Sequence, residues 1–287
     1  MRGSWPAIGI ASVFWWPFTS EPLAAQFTAR LDLSSSNRYV WHGLSRAAGG
    51  VIQSSAATGF RLQRFTIVGG VVRHFEWDQP APGGLSQLGD GNGHTGEDDI
   101  WAQGACDLGR LRLRSGVVRY VFRGKAPVGG GGPLGNTTEV YVAVDATSRY
   151  LNPTLEAWWD VGRVRGGFLR ATATSPVIGW PLEPYLFIAL GGEVGVNLGQ
   201  EPDPTRPGDL ASFAGRGVTH TALGVKIASR LHSWSGVGSA TLDLGVNTQF
   251  NFDDATRYDG VGRSRNVILW LSAGITVLLG GEARVRR

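Results

Sequence analysis

Five histidines, His42, His74, His94, His220 and His232, are the first candidates for proton transfer or metal ligation. None pairs with another His or a Cys at the spacing by which zinc ligands recur, so no metal site is expected from spacing. The stretch "DGNGHTGEDD" (90–99) resembles a calcium loop, but Thr95 stands where an EF-hand needs Gly and Trp101 where it needs the final Glu. Asp90, Glu97, Asp98 and Asp99 with no Lys or Arg among them read as a solvated loop with at most weak affinity for a divalent cation. A serine nucleophile needs a His beside it and a third group orienting the base. No G-x-S-x-G motif occurs, and the Ser and His residues of turns such as "RLHSWSG" (230–236) read as loop polars. The lone Cys106 cannot form an intramolecular disulfide. No catalytic residue and no cofactor is therefore expected, and the chain does not read as an enzyme.

What would position side chains follows from composition. Forty-three Gly and 11 Trp in 287 residues, with 17% charged, point to many short strands and tight turns. The mild net charge of +4 is spread along the chain and argues for no nucleic-acid partner. Residues 1–25 read as a cleaved export signal: Arg2, an apolar core "WPAIGIASVFWWPF" (5–18), and small residues ending at Ala25. Residues 26–287 then form a single exported domain.

Beyond residue 26 no apolar run is long enough for a transmembrane helix. Period-two alternation appears instead. In "NVILWLSAGITVLL" (266–279), Val267, Leu269, Leu271, Ala273, Ile275, Val277 and Leu279 make one apolar face. In "TEVYVAVDAT" (138–147), Val140, Val142, Val144 and Ala146 oppose Glu139, Tyr141 and Asp145. About twelve such segments recur (10–14 are compatible with the pattern), at 27–40, 49–60, 64–76, 97–108, 111–123, 137–148, 154–164, 166–176, 183–195, 217–229, 237–249 and 265–279. They match the roughly 9–11 residues with which a tilted strand crosses a bilayer. Links after even-numbered segments are short, while 77–96, 124–136, 196–216 and 251–264 are long and rich in Gly, Pro, Asp and Asn. A soluble sandwich has no reason to sort its loops by parity. A transmembrane barrel has one, with short periplasmic turns and long outer loops. The expectation is all-β: an antiparallel up-and-down barrel in the bacterial outer membrane, both termini periplasmic.

The polar parity face becomes the lumen. It carries Arg112, Arg114, Glu139, Asp145, Glu156, Asp160, Arg170, Glu193, Lys226 and Asp243. A bulge at Ser115–Gly116 would bring Arg119 inside as well and turn Val118, Tyr120 and Phe122 to lipid. Opposite charges across a lumen form either a selective constriction or a network that fills a narrow barrel. Tyr39 and Trp41, two residues apart at the outer end of the first strand, are expected with Tyr120 and Phe122 in the interfacial aromatic girdle. His42 points the other way, toward lumen or rim.

The segment Tyr39, Val40, Trp41, His42, Gly43, Leu44, Ser45 resembles the aromatic-x-aromatic-Arg-Gly-x-Ser motif with which the first strand ends in TorF-type outer-membrane porins (the Gcw_chp family), His42 standing in place of Arg. Gln53 and "TEVYVAV", with Glu139 and Tyr141, extend the resemblance. It implies a porin-like channel for passive diffusion of small hydrophilic solutes or ions. A closed structural or adhesive barrel, binding partners through its outer loops, is the alternative. Either would meet outer-membrane lipid, lipopolysaccharide and the assembly machinery; the oligomeric state is left open.

Overall fold

The computed structural model describes residues 26–47, 49–76, 95–122, 136–148, 150–175, 178–179, 186–200, 213–234, 238–257 and 264–280. Residues 1–25, expected to be an export signal, and much of the long links lie outside these residues. The strands are β1 (Gln26–Ser36), β2 (Tyr39–Trp41), β3 (Leu44–Ala47), β4 (Val51–Leu62), β5 (Phe65–Glu76), β6 (Thr95–Leu108), β7 (Leu111–Phe122) and β8 (Thr137–Ala146). They continue as β9 (Asn152–Asp160), β10 (Gly166–Thr174), β11 (Ile178–Gly179), β12 (Leu186–Asn197), β13 (Gly217–Trp234), β14 (Gly238–Asn251) and β15 (Val267–Leu279). One helical turn, α1 (Asp254–Arg257), precedes β15.

All strands but β2, β3 and the two-residue β11 pair in an antiparallel ring of twelve, which β10–β12 pairing closes on one side and β1–β15 on the other. Closure leaves no edge strand, so the backbone is hydrogen-bonded within the wall. The alternation decides which face is which. Val140, Val142 and Val144 on β8, and Leu269 and Leu271 on β15, are exposed on the outside. Their neighbours Glu139, Tyr141, Asp145, Ile268 and Trp270 are buried inside. The outer surface is apolar and the interior polar, the inversion a lipid-facing barrel requires. Cys106 lies among the outward residues, partly exposed and free.

The two rims differ. At the rim of the first and last strand ends, β4–β5 and β6–β7 join through Gln63–Arg64 and Gly109–Arg110, with positive φ at Gln63 and Gly109. At the opposite rim lie the strand ends that the links 37–50, 77–94, 123–136, 161–165, 198–216 and 252–266 connect. We call these the terminal rim and the loop rim.

Three expectations need correction. Glu97, Asp98 and Asp99 lie on β6 and are buried, not part of a solvated loop. β7 pairs with β6 and β8 in unbroken register, so no bulge interrupts Ser115–Gly116. Strict alternation then keeps Tyr120 buried inside and Arg119 exposed outside, where Arg119 Nη1 donates to Thr138 Oγ1 at 2.9 Å. Both lie at the loop-rim end, where an outward arginine avoids the mid-membrane cost that motivated the bulge. Nor do Tyr39 and Trp41 belong to a girdle: each is 4% exposed, inside the barrel. The side chain of Phe122 lies outside the described residues.

Candidate functional site

The interior is built around β2 and β3. Trp41 and Leu44 are partners across a two-residue turn, His42–Gly43, in which both φ angles are positive (47° and 83°). That is the signature of a type I′ hairpin turn, whose twist matches its strands. Gly43 is required twice over. Its φ suits glycine, and a Cβ there would sit 2.2 Å from Nδ1 of His220. The chain therefore folds back at Gly43 and enters the lumen instead of ending a strand at the membrane surface.

The hairpin's side chains reach most of the wall. The Tyr39 ring lies 4.6 Å from that of His74 on β5, and its hydroxyl donates to Glu97 Oε1 of β6 at 3.4 Å. Trp41 Nε1 donates to Tyr120 Oη of β7 at 3.2 Å. His42 Nε2 donates to Glu139 Oε2 of β8 at 3.2 Å, and its ring packs on Trp158 of β9 and Phe168 of β10. The Gly43 carbonyl accepts from Gln249 Nε2 of β14 at 2.7 Å. Val40 joins Ile268 and Trp270 of β15 in a small apolar cluster. Phe213, from the link after β12, stacks on Phe168 with centroids 5.3 Å apart. Beside the hairpin a cavity of about 60 Å³ remains, lined by residues including Tyr39, Trp41, His42, Trp101, Tyr141 and Arg170. It is too small for a solute, with room for one or two waters.

Glu139 is the hub of this level. It accepts from His42, from Tyr120 Oη at 2.9 Å and from Gln200 Nε2 at 2.9 Å. Glu193 is bound by His220 Nε2 at 3.0 Å, while Thr219 Oγ1 donates to His220 Nδ1 at 3.0 Å. Below the hairpin, Arg114 makes a two-pronged pair with Asp145 (2.7 and 2.8 Å) and reaches Glu156 Oε1 at 3.0 Å. Arg170 Nε donates to Glu156 Oε2 at 2.7 Å. These four side chains are buried and mutually satisfied, which holds the wall between β7 and β10 rigid.

Charges nearer the terminal rim are only half-buried. Arg30–Asp32 (2.7 Å), Arg61–Asp107 (3.0 Å), Arg112–Asp107 (3.5 Å) and Lys226–Asp243 (2.9 Å) face the lumen, Asp107 bridging Arg61 and Arg112. The inner face thus carries half-buried charge pairs toward the terminal rim and a packed aromatic level toward the loop rim.

Of the residues expected inside, Arg112, Arg114, Glu139, Asp145, Glu156, Asp160, Arg170, Glu193, Lys226 and Asp243 share the inner face, and Arg119 does not. Asp160 does not join the charge network. Its Oδ1 accepts from the backbone N–H of Gly162, Val164 and Arg165, and so shapes the short turn after β9. Sequence spacing did not show that His74, Glu97 and Asp99 meet: His74 pairs with Glu97 across β5–β6, and Asp99 follows on the same face. Only the strand register brings them together.

No family model and no curated protein matches the chain. The TorF-type resemblance therefore rests on its short motifs. Solved structures with a similar course of chain include an outer membrane channel from Pseudomonas putida F1, at 10% identity and TM-score 0.49, covering 90% of this chain and 97% of that one. The KdgM porin in complex with disordered oligogalacturonate matches at 9% identity and TM-score 0.41, covering 88% and 98%. LpxR from Salmonella typhimurium matches at 11% identity and TM-score 0.48, covering 86% and 99%. Likeness at these levels says nothing of what this barrel passes or holds.

Proposed function

We propose that the chain is a porin-like channel of the bacterial outer membrane for passive diffusion of small hydrophilic solutes or ions, closed at its loop rim by the inward hairpin of β2 and β3. The observation that carries this reading is the graded lumen. Half-buried charge pairs line the inner face toward the terminal rim, and the short β2–β3 hairpin, joined among the described residues by Gln200 and Phe213, packs the level above it. A wall meant only to be filled has no need of half-buried charge at one end. On this reading residues 1–25 are removed on export, both termini are periplasmic, and the apolar belt meets lipid, with lipopolysaccharide on the outer leaflet. The barrel reaches that membrane through the outer-membrane assembly machinery.

The competing reading is a closed structural or adhesive barrel that works through its outer loops. The buried Arg114–Asp145–Glu156–Arg170 network favours it, since ion pairs that hold a wall need no solute. Planar-bilayer recording separates the two. The native protein is expected to conduct little, and a form with residues 38–47 replaced by a short Gly-Ser link to conduct in large, steady steps. Silence from the folded deletion variant would establish the closed barrel. Equal conductance in both forms would remove the hairpin's role as closure.

A further inference from the structure

We propose that His74, Glu97 and Asp99 form a binding site for a divalent first-row transition-metal ion on the lumen wall between β5 and β6. One ligand atom from each of the three lies within 4.8 Å of the other two. His74 and Glu97 are buried, and Asp99 is nearly so. An imidazole with two carboxylates is a mixed nitrogen and oxygen donor set suited to zinc or manganese, leaving further positions for water.

Three features of the wall support the assignment. Glu97 and Asp99 are two residues apart on one strand, so both carboxylates are held on the inner face by the pleat and not by flexible loop. Two carboxylates brought together away from bulk water repel unless a cation sits between them, and a divalent ion reverses that term. Beyond the ring, Gln53 lies 2.9 Å from His74 Nδ1 and orients it, the arrangement a ligating histidine needs behind it.

In the structure Gln53 Nε2 donates to Nδ1, and Nε2 donates to Asp99 Oδ2 at 3.0 Å. Metal binding shifts the imidazole proton from Nε2 to Nδ1, and a half-turn of the Gln53 amide presents Oε1 to accept it. Nε2 then faces the ion with its lone pair, and the site's protons balance with none released. Tyr39 packs on His74 and bonds Glu97, so the site adjoins the hairpin. Its existence does not depend on the barrel being a channel.

The test uses full-length mature protein refolded in detergent free of lipopolysaccharide and stripped with a chelator. Titration with Mn²⁺, followed by loss of the free-ion electron paramagnetic resonance signal, should show one bound ion per chain, displaced by Zn²⁺. The Glu97→Gln/Asp99→Asn pair should weaken Mn²⁺ binding at least tenfold while the heat-modifiable mobility of the folded barrel is kept. Asp243→Asn, on β14 four strands from β5, should leave binding unchanged. Pulsed measurements on the native complex should show nitrogen coupling from an imidazole, a readout that stands even where the double variant does not fold. No stoichiometric uptake, uptake unaffected by the double variant, or a bound ion without nitrogen coupling would each overturn the assignment.

Discussion

Gly43 shows how one residue can redirect a segment. The aromatic spacing Tyr39-x-Trp41 was legible in the sequence, but the opposition of His42 to the two aromatics was not, since all three lie inside. The reversal at His42–Gly43 was not, because a two-residue turn looks like a strand end until its partner strand is placed. Flanking residues of both faces are buried here, so alternation carried no signal. We expect Gly43→Ala to lower unfolding stability by at least about 1 kcal/mol, from its positive φ alone. The clash with His220 adds to that and should displace the hairpin. A fall in the urea midpoint of the heat-modifiable band, together with raised conductance, checks both effects. Glu139 gives a second case. Glu139→Ala leaves the donors of His42, Tyr120 and Gln200 without their acceptor, and should cost about 3 kcal/mol or more. Glu139→Gln keeps one acceptor oxygen and should cost about half that or less. An equal loss for the two variants in the same urea titration would remove Glu139 from its place as hub.

At the scale of the strand, period-two patterning fixed the wall almost completely. The inner and outer faces of β8, β9, β14 and β15 are those the alternation predicts. The failure on β7 is instructive, since Arg119 was moved inside to spare it a lipid environment. Depth, not parity, was the missing quantity: Arg119 pairs with Thr138 at the end of β8, near the loop rim. Depth also sets the next expectation. Val142 lies at the middle of β8 and is 60% exposed on the outer face. Val142→Arg should therefore cost about 2–4 kcal/mol in lipid bilayers, and arginine placed at the rim far less. Urea titration of folding into vesicles measures the difference. A mid-strand arginine tolerated as well as a rim one would contradict the lipid-facing assignment of this surface.

For the molecule as a whole, the charges that the sequence placed inside sort by height, which no sequence pattern reveals. Pairing across strands decides which acids meet arginines and which meet histidines. Near the terminal rim Arg30, Arg61, Arg112 and Lys226 meet Asp32, Asp107 and Asp243, four cations to three acids, Asp107 being shared. At the hairpin level, among the described residues, Glu97, Asp99, Glu139 and Glu193 face inward, and Arg170 nearby is taken up by Glu156. His42, His74 and His220 meet these acids and are cations only when protonated. Removing residues 38–47 takes away His42 and the aromatic cover, so the level they packed is left lined by Glu97, Asp99, Glu139 and Glu193. A ring of carboxylates at a constriction favours cations. The deletion variant should therefore be cation-selective at neutral pH, read as a reversal potential of the cation sign across a KCl gradient. Selectivity should weaken in acid, where carboxylates lose their charge. An anion-selective open form would mean that the charge pairs near the terminal rim, and not the hairpin level, control passage.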